Sequence, residues 1–367
     1  MVSAMGTGLP AAWTAAEVRA DAGWVTALDE RAVRALIEIV RRARDPAKSL
    51  LDYRRSDFDL GAAGPTIAAA FAEAQHGRGM ALLRGLPRDG VDEAEFELLT
   101  WAIGLHAGVP RPQGKATQYL SAVRDAGTVY RSAGGRGYSS NAELDFHTDG
   151  ADIAVLTCFN AARAGGMSMM SSSVTAHDLL VAERPELAEV LHSPFHFSRQ
   201  AEQAPDEAPS YLNPIYDEAD GKLFSKWNRN RMTSAQKIDG VPKLTVAQRE
   251  AVDALDGILR RDDVMFAMHL QPGDMQIINN HVTLHSRTEF EDFEEAGRKR
   301  LLFRLWLAPP TSARLPESWR PAYRSVAAGS VRGGIIGQQY DVQCREFEAR
   351  QATEMGMTGA EGASCFT

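Results

Sequence analysis

Cysteine is scarce in this chain. Three residues in 367, Cys158, Cys344 and Cys365, lie far apart with no paired spacing. That excludes a disulfide framework and suits a reducing compartment. No apolar run is long enough to span a bilayer. The first ten residues lack the basic cluster and apolar core of a secretion signal. These absences predict a cytoplasmic protein with no membrane partner. There is no excess of positive charge either: the formal net charge is −8, with both signs mixed along the chain, which argues against a nucleic-acid surface. Internal repeats and low-complexity tracts are also missing.

What remains is an ordinary globular composition, 44% hydrophobic and 24% charged. Residues 30–44 place Val33, Leu36, Ile37 and Val40 on one helical stripe. A helix from about Asp92 does the same with Phe96, Leu99 and Ile103, and residues 245–260 add another, with Thr245 and Gln248 at capping-box spacing. Residues 80–83, 152–160, 275–278 and 301–307 read as strands. Gly165 and Gly166 mark a turn before another short strand, and a helical stretch from Thr175 is interrupted by Pro185. Residues 127–140 read as an exposed loop, 194–242 as irregular, and the part after Pro309 as a polar tail that frays from Gly356.

The strands are widely separated in sequence and show no βαβ alternation. The expected fold is therefore mainly β with helices: an antiparallel barrel or jelly roll (a double-stranded β-helix) flanked by helices. It is read as one domain over residues 1–367, with a core of about 77–310, an insertion of about 175–270 and a tail of about 311–367.

Chemistry concentrates in three places. The first is His147-Thr148-Asp149, where an extended backbone would turn an imidazole and a carboxylate to the same side. Two His and one carboxylate on one face of a metal leave three positions open, the arrangement of non-haem iron(II) oxygenases. The second is residues 271–287, with turn residues Pro272-Gly273-Asp274 feeding a strand and two candidate distal ligands, His281 and His285. Four-residue spacing would also suit a zinc helix, but the β-branched flanks and Asn279-Asn280 oppose a helix there. The third is residues 298–307, where Arg300, Leu302, Arg304 and Trp306 share one face of an otherwise apolar strand. A charge there requires a partner, either a protein carboxylate or a bound carboxylate ligand.

In this order, these pieces resemble the taurine dioxygenase/TfdA family of 2-oxoglutarate-dependent oxygenases (clavaminate synthase-like). The resemblance is carried by residues 79–87 (GMALLRGLP), 146–150 (FHTDG), 165–172 (GGMSMMSS), and 273–287 together with 300–307. It implies that His147, Asp149 and His285 hold Fe(II). It further implies that Arg304 and the Ser168 hydroxyl receive the distal carboxylate of 2-oxoglutarate, with Arg300 near the carboxylate that chelates the metal. Ser168 departs from the family's more usual Thr but keeps the hydroxyl. With O2 as oxidant, the implied outcome is hydroxylation of a small-molecule C–H bond with release of succinate and CO2. Retention of Asp149 points away from halogenation.

Candidate substrate-lining residues are Tyr211, Trp227, Asn228, Arg229 and Arg231 from the insertion, and Gln113, Tyr138 and Asn141 from the loops before the metal unit. Arg229 or Arg231 would pair with an anionic substrate group. A zinc hydrolase using His281 and His285, and a non-catalytic jelly-roll binding protein, are the alternatives. A homo-oligomer is compatible with the sequence.

Overall fold

A computed structural model describes residues 10–128, 130 and 137–357. Among these, seven strands form one sheet. Six follow the order Val25–Ala27, Met80–Arg84, Met275–Asn279, Ile153–Asn160, Leu301–Ala308, Val109–Arg111, and the seventh, Leu120–Val123, also pairs with Leu301–Ala308. A second sheet has three strands, with Ser168–Ser172 between Phe266–Met268 and Thr283–Arg287. Pairing is antiparallel except between Val25–Ala27 and Met80–Arg84.

The Leu301–Ala308 strand shows how the sequence divides the interior. Leu301, Phe303, Leu305 and Leu307 are buried in a core with Phe96, Leu99 and Ile103 of the Glu93–Ala107 helix. A Cβ on Gly104 would lie 2.1 Å from Leu305 Cδ2, so that helix approaches the sheet closely because it carries no side chain there. Alternate residues of the strand face the opposite way: Leu302 packs with Met170 and Cys158, while Arg300, Arg304 and Trp306 line a cavity. Cys158 and Cys344 are buried and free; Cys365 lies outside the described residues. No helix among the described residues is long and apolar enough to cross a membrane.

Two sequence expectations need correction. Residues 194–242 are not irregular. They fold as paired strands Pro194–Ser198 with Ser210–Pro214 and Tyr216–Ala219 with Lys222–Ser225, followed by the helix Arg229–Ala235. The second pair turns at Asp220-Gly221, both at positive φ, a common two-residue hairpin connection. The region after Pro309 is not a simple polar tail. Trp319 and Tyr323 are buried, and the helix Val342–Glu354 buries Cys344 and Phe347 against Trp101 and Tyr119. The tip of the expected loop at 127–140 lies largely outside the described residues, as does most of the expected frayed end.

Candidate metal centre

The two sheets bring His147, Asp149 and His285 together. His285 sits within Thr283–Arg287, and His147 exchanges backbone hydrogen bonds with it, each N–H donating to the other's carbonyl at 3.0 Å. One ligand atom from each of the three residues lies within 4.8 Å of the other two. His147 Nε2 is 4.0 Å from Asp149 Oδ1, and His285 Nε2 is 3.7 Å from Asp149 Oδ2.

Neighbouring groups fix the orientation of these donors. His147 Nδ1 bonds the Asp145 carbonyl at 2.8 Å, leaving Nε2 directed at the cluster. Trp306 Nε1 donates to Asp149 Oδ2 at 2.8 Å, and Arg304 Nη1 lies 3.5 Å from Oδ1. The Asp149 amide donates to the Asn280 side chain. Burial alone would raise the Asp149 pKa, but Arg304, His285, His147 and the Trp306 hydrogen bond lower it overall. Burial and the His147 imidazole push His285 down to about 3, against the opposing pull of Asp149. An ionised carboxylate beside a neutral imidazole is the state in which a divalent cation is bound. The donor set therefore fits the metal that the sequence implies.

His281 is not part of this group. Its Nε2 bonds Asp152 at 2.8 Å, and Asp152 also receives Arg332, whose side chain is fully buried.

The two arginines expected to meet the co-substrate have different surroundings. Arg304 donates from Nε to Gln113 Oε1 at 2.8 Å and lies 3.5 Å from Asp149 Oδ1, beside the candidate metal ligands. Arg300 makes no hydrogen bond or ion pair with the triad among the described residues. It stacks 4.9 Å over Phe290, and its Nη1 is buried with no hydrogen-bond partner among the described residues. Arg287, which the sequence does not single out, is opposite Ser168 in the strand register; its Nη2 donates to the Ser140 and Ala142 carbonyls, and its buried Nη1 has no partner among the described residues. Burial brings the Arg300 pKa down to about 10 and the Arg287 pKa down to about 9, the latter reinforced by the Arg300 charge. The Ser168 hydroxyl donates to Gln276 Oε1 at 2.8 Å.

Of the predicted substrate-lining residues, Gln113, Tyr138, Tyr211, Asn228, Arg229 and Arg231 line the cavity shared with the triad. Two do not. Trp227 is fully buried with its indole donating to Asp256, and Asn141 borders a separate surface depression. Neither predicted arginine is available: Arg229 pairs with Asp253 and Asp256, and Arg231 with Glu202. Their carboxylates come from residues 24 to 29 positions away, a pairing no local pattern announces. Lys226 also lines the cavity, and nothing in its immediate sequence separates it from a surface lysine.

A sheet framework that turns two imidazoles and one carboxylate toward an open cavity defines the class of mononuclear non-haem iron oxygenases. The match to the family described as taurine catabolism dioxygenase TauD, TfdA family spans residues 45–306, and the chain belongs to that family. It is a non-haem iron dioxygenase that uses 2-oxoglutarate and O2 to hydroxylate a small molecule. Among curated relatives, FR-33289 synthase of Streptomyces rubellomurinus (strain ATCC 31215) is 30% identical over 313 residues, 83% of this chain and 91% of that protein. Asparagine oxygenase, solved with Fe(II), 3-hydroxyasparagine and succinate, superposes with a TM-score of 0.59 at 19% identity, over 77% of this chain and 93% of that one. The non-haem iron oxygenase OrfP with Fe and alpha-ketoglutaric acid gives 0.56 at 16% identity, over 83% and 100%. At those identities the likeness concerns the fold.

Proposed function

We propose that the chain is one oxygenase domain in which His147, Asp149 and His285 hold Fe(II) and a buried arginine pair, Arg300 and Arg287, receives the distal carboxylate of 2-oxoglutarate. The observation that carries this reading is two buried guanidinium nitrogens, Nη1 of Arg300 and Nη1 of Arg287, that have no hydrogen-bond partner among the described residues, with Arg287 opposite Ser168 in the strand register. Buried cations without a counter-charge are costly, and a bidentate carboxylate supplies what is missing. Arg304 takes a different part from the one its sequence position suggested. It steadies Asp149 and faces the near end of the co-substrate.

Bound iron supplies O2 activation coupled to decarboxylation, so that R–H, 2-oxoglutarate and O2 become R–OH, succinate and CO2. The chain's own contribution is positional. Trp306 and the Asp145 carbonyl hold the ligand side chains in their coordinating orientation, and Arg300, Arg287 and Ser168 orient the co-substrate. Leu302, Leu156 and Leu270 give the cavity an apolar wall that limits water near the metal.

The two sheets fit the halves of a double-stranded β-helix, and residues 311–357 belong to the same unit because they complete its core. Two free buried cysteines suit a reducing, cytoplasmic setting. Against the zinc-hydrolase alternative stands the engagement of His281 by Asp152. Against a non-catalytic binding protein stands the intact donor set. The direct test is succinate formation from 2-oxoglutarate with Fe(II) and O2, screened across small acids and amino acids. Absence of succinate with and without candidate substrates, together with tight zinc binding and hydrolytic turnover, would overturn the reading.

A further inference from the structure

Lys226 follows the Lys222–Ser225 strand and is 8% exposed, with its amide donating to the Ile215 carbonyl at 2.8 Å. Its ammonium lies 4.7 Å from the centre of the Tyr323 ring, and among the described residues it has no hydrogen-bond or ion-pair partner. The cations around it are provided for. Arg231 meets Glu202 at 2.9 Å, Arg199 meets Glu207 at 3.3 Å, and Arg229 meets Asp256 at 2.9 Å. Lys226 is the one charge of this group without a counter-charge, and it opens on the cavity that contains the metal triad.

Its position differs from that of the arginine pair. The Ser225 amide, one residue before Lys226, bonds the His281 carbonyl, whereas Arg287 pairs with Ser168. Along the chain from His281 to Arg287 the ligand His285 lies between these two points. Lys226 therefore follows a residue that pairs on the His281 side of His285, whereas Arg287 lies on its other side along the chain.

We propose that Lys226 anchors an oxyanion of the substrate, a carboxylate, sulfonate or phosphonate, so that the substrate spans from this ammonium toward the metal. The proposal rests on the oxygenase reading above and names the substrate class of that same site. A structural lysine satisfied by Tyr323 alone is the competing explanation, but a ring face offers an ammonium much less than an oxyanion does in a desolvated site. Burial, with Arg231 and Arg199, lowers the Lys226 pKa to about 7 despite the opposing Asp149 charge, as expected for a cation whose counter-ion is absent. Tyr323 also presents a buried hydroxyl with no hydrogen-bond partner among the described residues.

The experiment uses the full chain with 2-oxoglutarate at saturation, so that the arginine pair is filled. The Lys226 ε-methylene NMR signal, assigned by its loss in Lys226→Met, is followed during titration with acetate, methanesulfonate and methylphosphonate. At least one anion should shift it saturably, and the tightest names the group. Ligand-observed binding of that anion should weaken at least tenfold in Lys226→Met, while Lys115→Met, an exposed lysine, should leave it within twofold. An unmoved signal with all three anions overturns the proposal, as does equal affinity in a folded Lys226→Met. Loss of anion binding in Arg300→Met instead would mean the anions occupy the co-substrate end, and also overturns it. Succinate production is not the readout, so failure of the oxygenase reading would be seen separately.

Discussion

The indole of Trp306 holds Asp149 from the far side of the cavity: Nε1 donates to Oδ2 at 2.8 Å across a separation of 157 residues. One carboxylate oxygen is thereby committed and its rotation restricted, which leaves the other for the metal in the proposed reading. Trp306→Phe keeps the ring but removes the donor. Metal affinity should fall about 10–100-fold, the usual cost of losing an outer hydrogen bond to a ligand. Anaerobic Fe(II) titration checks this; an unchanged affinity would dismiss the orienting role.

His281 and His285 should separate by assay. His285→Ala, like His147→Ala and Asp149→Ala, should abolish iron-dependent turnover while the protein remains folded. His281→Ala should instead lower unfolding stability by roughly 1–3 kcal/mol, because Asp152 loses one of its buried donors but keeps Arg332. Denaturant melts and iron titrations on the four variants decide it. Loss of iron in His281→Ala with normal binding in His285→Ala would reverse the assignment.

Arg300→Leu should raise the 2-oxoglutarate concentration needed for half-saturation at least about 100-fold, since losing one partner of a buried pair costs on the order of 3–5 kcal/mol. Arg304→Leu should act mainly on the metal, through the contact with Asp149. Titrating each variant with 2-oxoglutarate and with Fe(II) gives a two-by-two comparison. If Arg304→Leu alone loses 2-oxoglutarate, the role first expected from its sequence position is the right one.

Lys226 gives a pH dependence. Its ordinary pKa of 10.5 falls to about 7 in the folded protein. Below pH 7 the side chain is protonated in both states, and the folded state bears the full burial penalty. Between pH 7 and 10.5 the unfolded chain binds the proton more strongly, so this residue makes stability rise with pH, by up to about 1.4 kcal/mol per pH unit. Lys226→Met should show a correspondingly shallower slope in melts at pH 7, 8 and 9, and higher stability than the parent at pH 7. Parallel slopes would contradict a buried, unpaired ammonium.

The parts of this site that could be read from the sequence are those set by local geometry. His147 and Asp149 stand two apart on extended backbone, and Arg300, Leu302, Arg304 and Trp306 alternate along one strand, so their common face follows from the period of the backbone. What could not be read depends on distant partners. Arg229 and Arg231 look free until the Val246–Leu259 helix and Glu202 are in place. Lys226 looks ordinary until the fold buries it. The helix Val342–Glu354 shows no apolar stripe in the sequence because its buried row sets Glu348 and Gln351 among Cys344, Phe347 and Ala352. Its Glu348 is satisfied by Tyr119 and Arg111, which no hydrophobic period reveals. The Asp220-Gly221 hairpin was legible in principle but was obscured by the surrounding Pro and Asn residues.

The clamp of Arg332 on Asp152 spans 180 residues, and the nearby Gly334 amide donates to the Gly150 carbonyl, next to Asp149. Chains emerge from the ribosome at about 5–20 residues per second, so the ligand-bearing segment waits roughly 10–35 s for the piece that braces it. During that interval His147 and Asp149 exist without the finished pocket around them. His147, Asp149 and His285 all precede Arg332 and Gly334 in the chain, so the brace is the last of these parts to be made and the three side chains are together in sequence before it can close on them.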